Sequence, residues 1–190
     1  MRRGRILSIA SVLACLLYCS GASAADDVFV HSFTNFAFPP QVGAFSRGAI
    51  TPYNSEGSDV GVDYTNDPNT CKLSVYVYPA KTGLPEHFKK CEADVLEVHP
   101  AAKLIEEKPV HLSKGGVGYD GLYASYGFHD KFVGHREQDL LSRVVLFQRG
   151  DYFVLFRISY ARTYPIATEK QIDDFMDKLE WPKGDPASGT

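Results

Sequence analysis

The chain reads as a single α+β domain, a mainly antiparallel sheet with helices packed against it. Three observations carry that reading. Residues 143–161 hold two apolar runs, RVVLFQR and YFVLFRISYA, joined at Arg149-Gly150-Asp151 in the manner of a hairpin. Residues 168–181 follow with Ile172, Phe175, Met176 and Leu179 at helical spacing. Upstream, GVDY at 61–64 and CKLSVYVYP at 71–79 stand on either side of the turn-forming Asn66, Asp67, Pro68 and Asn69.

At the start, MRRGRILSIASVLACLLYCSGASA combines a basic opening, a short apolar core and a small-residue exit at Ala22-Ser23-Ala24. This is the order of a secretory signal peptide cleaved before Ala25, and its core is too short for spanning a membrane to be the default. A lipoprotein reading at Val12-Leu13-Ala14-Cys15 is the weaker alternative, because the Ala-x-Ala exit lies farther on. The expected organisation is residues 1–24 as signal peptide, 25–182 as one exported domain and 183–190 as a loose tail. The expected place is the periplasm, or the space outside the cell. Cleavage removes three of the 20 basic residues, leaving 17 against 23 acidic ones. An acidic mature chain of this kind excludes broad nucleic-acid binding, and no second hydrophobic segment points to membrane insertion after cleavage.

Two cysteines, Cys71 and Cys91, outlast cleavage. An oxidising compartment raises a disulfide, worth on the order of ~3 kcal/mol if unstrained. Against it, Cys71 opens a strand while Cys91 lies about two turns into the next helix, so an antiparallel return sets Cys91 nearer mid-strand. The bridge and a pair of buried thiols both stay open at this point.

From Phe33 to Tyr78 the pattern is strands punctuated by turns. Leu73, Val75 and Val77 face one way and Lys72, Ser74, Tyr76 and Tyr78 the other. The apolar set needs a helix over it, and Leu84, Phe88, Cys91, Val95, Val98, Ala102 and Ile105 form such a stripe, kinked or broken at Pro100. A strand VGYDGLYASYGF then leads through a loop, HDKFVGHREQD, into the terminal hairpin. There Val144 and Leu146 alternate with Val145 and Phe147, and Val154, Phe156 and Ile158 with Phe153 and Leu155, so both faces of the hairpin need cover. The last helix opens on a capping-box spacing, Thr168 and Gln171, and ends at Trp181-Pro182.

This order, with FAFP at 36–39, the paired GVDY and LSVYVYP runs and the terminal hairpin and helix, resembles the fold shared by PsbP-type extrinsic photosystem proteins and a eukaryotic Ran-binding import factor. It also resembles small exported bacterial proteins of unknown function. The likeness spans residues 33–181, is architectural, and carries over no functional residue. It implies a noncatalytic binding role, and the signal peptide argues against nuclear transport.

The one polar cluster with metal-binding chemistry is His129, Asp130, His135, Glu137 and Asp139, from which His129, His135 and Glu137 are the candidate ligands. Their spacing matches no zinc or metalloprotease motif, and a solvated loop explains the same residues. GGVGYDG at 115–121 lacks a P-loop lysine and a following helix, so its glycines are read as shaping a strand entrance or bulge. Ser125, His129 and Asp130 supply the residue types of a hydrolytic triad without a nucleophile elbow. Arg149-Gly150-Asp151 spells an adhesion tripeptide that a hairpin turn accounts for equally well.

Tyrosines offer the remaining surface. Tyr76, Tyr78 and Tyr123 are the candidate partner-binding residues, since a phenol combines apolar area with a hydroxyl. The expected function is a soluble exported noncatalytic protein-binding or assembly-accessory module without a cofactor. A carrier of a small amphipathic ligand is the alternative, and a metal-dependent hydrolase comes third.

Overall fold

The computed structural model describes residues 27–66, 70–132, 136–163 and 165–182. In chain order these form strands β1 (Phe29–His31), β2 (Phe36–Phe38), β3 (Gln41–Val42), β4 (Phe45–Pro52), β5 (Val60–Asn66) and β6 (Cys71–Pro79), then helix α1 (Leu84–Val98). Strands β7 (Lys103–Lys114), β8 (Val117–Phe132), β9 (Arg136–Arg149) and β10 (Tyr152–Ala161) follow, and helix α2 (Pro165–Lys178) closes the order. Eight strands make one antiparallel sheet in the order β3-β4-β5-β6-β10-β9-β8-β7, while β1 and β2 form a separate ribbon. The α+β class read from the sequence is the class observed.

Both expected hairpin pairings are present. Residues Val60–Thr65 run antiparallel to Lys72–Val77, and Tyr152–Ala161 to Leu140–Arg149. Gly150 turns the latter at φ 54°, a left-handed conformation that glycine adopts at little steric cost. Arg149 beside it is buried and donates to the Thr34 carbonyl at 2.8 Å, which occupies it in joining the β1–β2 ribbon to the sheet rather than displaying an adhesion tripeptide.

The helices lie on opposite faces. On one, Ile172 and Phe175 of α2 pack with Leu179, Trp181 and the inward residues Val62, Tyr64, Leu73, Val75, Val154, Phe156 and Ile158. Phe36 of the ribbon meets Trp181 with ring centroids 5.1 Å apart, and Phe45 and Tyr64 meet Phe175 at 5.2 and 5.0 Å. On the other face Phe88, Cys91 and Val95 of α1 pack on Ala124, Tyr126, Val144, Leu146, Phe153 and Leu155. Fully burying one such side chain contributes roughly 1.5–3 kcal/mol.

Four local expectations are corrected. The Leu73/Val75/Val77 face is covered by α2, not by α1. The chain leaving β6 must reach β7 at the far edge, so α1 crosses the Tyr76/Tyr78 face over β8 and β9. Residues 103–114 are a strand rather than a continuation of the helix, which stops where the His99 amide bonds the Val95 carbonyl. That strand is an exposed edge with Pro109 in it, and a strand without a buried face shows no alternation to read. Residues 129–132 and 136–139 extend the β8–β9 ladder instead of forming a loop. Finally, α2 begins at Pro165, a residue suited to the first turn, so Thr168 is a buried residue within it and not a cap. Gln171 instead accepts a hydrogen bond from Asn66 at 2.8 Å.

Cys71 and Cys91 are free buried thiols, one in the α2-side core and the other in the α1-side core, with the sheet between them. The bridge is not made. Burial pushes the Cys71 thiol up to about 12 and raises Cys91 as well. Residues 1–24, the tail at 183–190 and His135 lie outside the described residues. Among the described residues, no helix is long and apolar enough to cross a membrane.

Candidate functional site

Because α1 lies over β8 and β9, it leaves the same face of β5 and β6 uncovered. The result is a groove with α1 as one wall, the segment after β4 as the other, and β6 and β10 as its floor. Its central depression, about 400 Å³, is lined by Tyr53, Asp59, Tyr76, Tyr78, His87, Lys90, Cys91, Asp94, Leu155 and Arg157. Toward the start of α1 it continues into a second of about 290 Å³ that adds Asn54, Lys81 and Thr82. In the opposite direction a third of about 270 Å³ shares Tyr76 and Arg157 with the centre and adds Lys72, Ser74 and Ser159. The three follow β6 from Pro79 to Lys72, a run of about 25 Å at the ~3.3 Å rise of a strand.

Local sequence explains the floor. Alternation in β6 sends Lys72, Ser74, Tyr76 and Tyr78 to this face, and pairing sets Arg157 beside Ser74, Leu155 beside Tyr76 and Gly61 on the other side of Tyr76. Gly61 leaves space for the rings above it. A methyl group there would lie 2.9 Å from Tyr76 Cε1 and 3.1 Å from Tyr53 Cε2. The two rings therefore rest over a bare backbone, with centroids 6.2 Å apart.

Tyr78 has a different role. Its hydroxyl is 2.9 Å from His87 Nε2, and the His87 ring stacks on Phe153 at 4.5 Å, so the pair fastens α1 to the sheet. Burial holds the Tyr78 phenol well above its ordinary range, with Cys91 adding to the shift. His87 is lowered, first by burial and then by the Lys90 charge. Burial also raises Asp59 and the Tyr53 phenol. With a neutral imidazole beside a thiol that burial keeps protonated, this arrangement is suited to packing and recognition rather than to presenting a thiolate nucleophile.

The sequence candidates divide. Tyr76 and Tyr78 share the groove, whereas Tyr123 packs against the α2-side core on the opposite face, under Lys108 at 5.1 Å. His129 pairs with Asp139 at 2.9 Å across β8 and β9, and Glu137 stands opposite Lys131. Asp130 turns to the other face and bonds His99 at 2.9 Å. Among the described residues no three His, Cys, Asp or Glu side chains come together as metal ligands. Ser125 is buried four residues along β8 from His129, about 13 Å in an extended strand, so the triad is not assembled. Gly115 and Gly116, at φ 58° and 83°, turn β7 into β8.

Comparison with solved structures bears on the architecture. The solution structure of cyanobacterial PsbP (CyanoP) from Synechocystis matches over 88% of this chain and 99% of its own length, at 12% identity and a TM-score of 0.52. The fold is PsbP-like. A Pseudomonas aeruginosa protein of unknown function matches over 83% of this chain and 97% of its own, at 12% identity and a TM-score of 0.43. A Bacteroides thetaiotaomicron protein matches over 75% and 47%, at 13% identity and a TM-score of 0.40. No family model and no curated protein matches the sequence. At this identity the PsbP-like likeness concerns the path of the backbone.

The sequence reading missed Tyr53, Asp59, His87 and Arg157. Arg157 carried a signal, since it is a charge in a strand whose neighbours are apolar on both faces. The others become visible only once α1 is set on its proper face.

Proposed function

We propose that this chain is an exported, noncatalytic binding module that receives an extended segment of a protein partner in the groove beside α1. The observation that carries the reading is the groove's form: three connected depressions along one strand, with tyrosine rings at the centre and polar side chains at both ends. A length of about 25 Å fits roughly seven extended residues. An alkyl chain of that length would lie against Lys72, Ser74 and Ser159 at one end and Asn54, Lys81 and Thr82 at the other, burying polar groups it cannot satisfy. The PsbP-like backbone is compatible with this role, and the basic-apolar-small leader of the sequence supports export to the periplasm.

The test is recovery of partners from the native exported fraction by the wild-type protein and by a Tyr53→Ala/Tyr76→Ala variant. These rings are chosen in place of Tyr78 because Tyr78 fastens α1. A partner retained by the wild type and lost from the folded variant is expected. Absence of any enriched protein, together with a stoichiometric small molecule that copurifies, would replace the reading with that of a carrier.

A further inference from the structure

We infer that the groove selects a segment bearing a carboxylate two residues from an apolar side chain, and that Arg157 is the receptor for that carboxylate. The inference rests on the proposed function and specifies its partner. Arg157 is half-buried on the floor, where the central depression meets the one lined by Lys72, Ser74 and Ser159. It makes no hydrogen bond or ion pair with any described residue, and Asp94 on the α1 wall does not close one with it. Ser74, its neighbour on β6, is already committed as donor to Asp63. Asp63 and Asp94 stand nearby, yet no carboxylate among the described residues is in hydrogen-bond contact with the half-buried guanidinium, so its fork is open to a bidentate anion, and exposed Lys72 adds a second cation at the same end.

Two features choose the anion and its spacing. Asp59 and Asp94 line the adjoining centre, so a singly charged carboxylate is repelled less than a doubly charged phosphate. The step from Tyr76 to Ser74 along β6 is two residues, about 6.6 Å, and an extended peptide presents the same face at the same interval. A side chain seated on Tyr76 and Leu155 therefore places its neighbour but one over Arg157.

The test uses protein purified from expression of the full chain and pools of end-capped heptapeptides that fix Phe and, two positions away in either order, Glu, Gln or phosphoserine. Fluorescence polarisation is expected to show the Glu pool binding at least tenfold tighter than the Gln pool. Arg157→Gln should weaken the Glu pool at least tenfold and abolish the difference between the two pools. Lys72→Gln, an exposed substitution that does not endanger folding, should weaken the Glu pool by a smaller factor and narrow its preference over the Gln pool. Equal binding of the two pools, or an undiminished acid preference in folded Arg157→Gln, would overturn the inference. So would tighter binding of the phosphoserine pool, or displacement of the peptides by palmitate with the same Arg157 dependence. If no pool binds but the Tyr53/Tyr76-dependent partner is still recovered, the carboxylate inference falls and the groove reading stands. If neither is seen, the groove reading itself falls.

Discussion

A single methyl group at Gly61 separates the binding role proposed for the groove from the stability of the sheet beneath it. In Gly61→Ala the added carbon would lie 2.9 and 3.0 Å from two atoms of the Tyr76 ring and 3.1 Å from the Tyr53 ring. Favourable carbon contacts lie at about 3.5–4.0 Å, so both rings must move by roughly half an ångström or more. They have room to do so: Tyr53 is 57% exposed and Tyr76 half-buried. The overpacking cost therefore falls near the low end of its range, about 1 kcal/mol, and the smaller chain entropy of unfolded alanine offsets roughly 0.4–1 kcal/mol of it. Thermal unfolding should shift by no more than a few degrees. Binding should suffer more, because rings displaced from their resting places lose part of an aromatic contact, about 1–2 kcal/mol or roughly five- to thirtyfold in affinity. The assay is a melting curve alongside titration with the recovered partner. Unchanged affinity, or a loss of affinity that follows a collapse in Tm, would refute the reasoning.

Gly121→Ala should behave in the opposite way, since its methyl group would meet the buried Phe147 ring at 2.5 Å and the Leu146 carbonyl at 2.7 Å, atoms that have little freedom. A destabilisation of about 2–3 kcal/mol is expected by chemical denaturation, relieved in part by Phe147→Leu in the same chain. Unfolding the protein without reductant should expose two reactive thiols, Cys71 and Cys91, whereas the native protein should react only as fast as it opens. Stability should decline as pH rises above about 9, because the unfolded chain ionises Cys71 there while burial keeps the folded thiol protonated to about 12. The full effect is on the order of 4 kcal/mol by pH 12, and Cys71→Ala should flatten the slope in an alkaline denaturation series. On the acid side, burial lowers His87 below 6.5, so its contribution is present above that pH and is lost as pH falls toward the folded value. His87→Gln should make the acid limb of a Tm-against-pH curve shallower.

Legibility in the sequence followed burial. The hairpins β5–β6 and β9–β10 were readable because each presents an apolar face with period 2, and α2 because Ile172 and Phe175 recur at helical spacing beneath Trp181. The edge strand β7 was not, because most of Lys103–Pro109 is exposed and its apolar residues happen to continue the stripe of α1. The faces of β6 were separated correctly but given the wrong helix: periodicity says which residues lie together and not which distant segment covers them. That error hid the groove, since Tyr76 and Tyr78 were seen as a sheet face and not as a floor beside α1. Tyr123, one of many alternating tyrosines, shared their pattern and lies on the other side. Arg157 could be noticed as a charge in an apolar strand, but that no described carboxylate closes an ion pair with it is a property of the fold.

The central claim is that the partner lies in the groove beside α1, and site-specific photocrosslinking tests it most directly. A photoreactive phenylalanine derivative replaces Tyr53 on the groove wall or, in a control, Ile166, which is 83% exposed on α2 across the sheet. The account predicts a crosslinked partner from position 53, lost when Tyr76→Ala is added, and none from position 166. Equal capture at both positions, or capture at 166 alone, would contradict it.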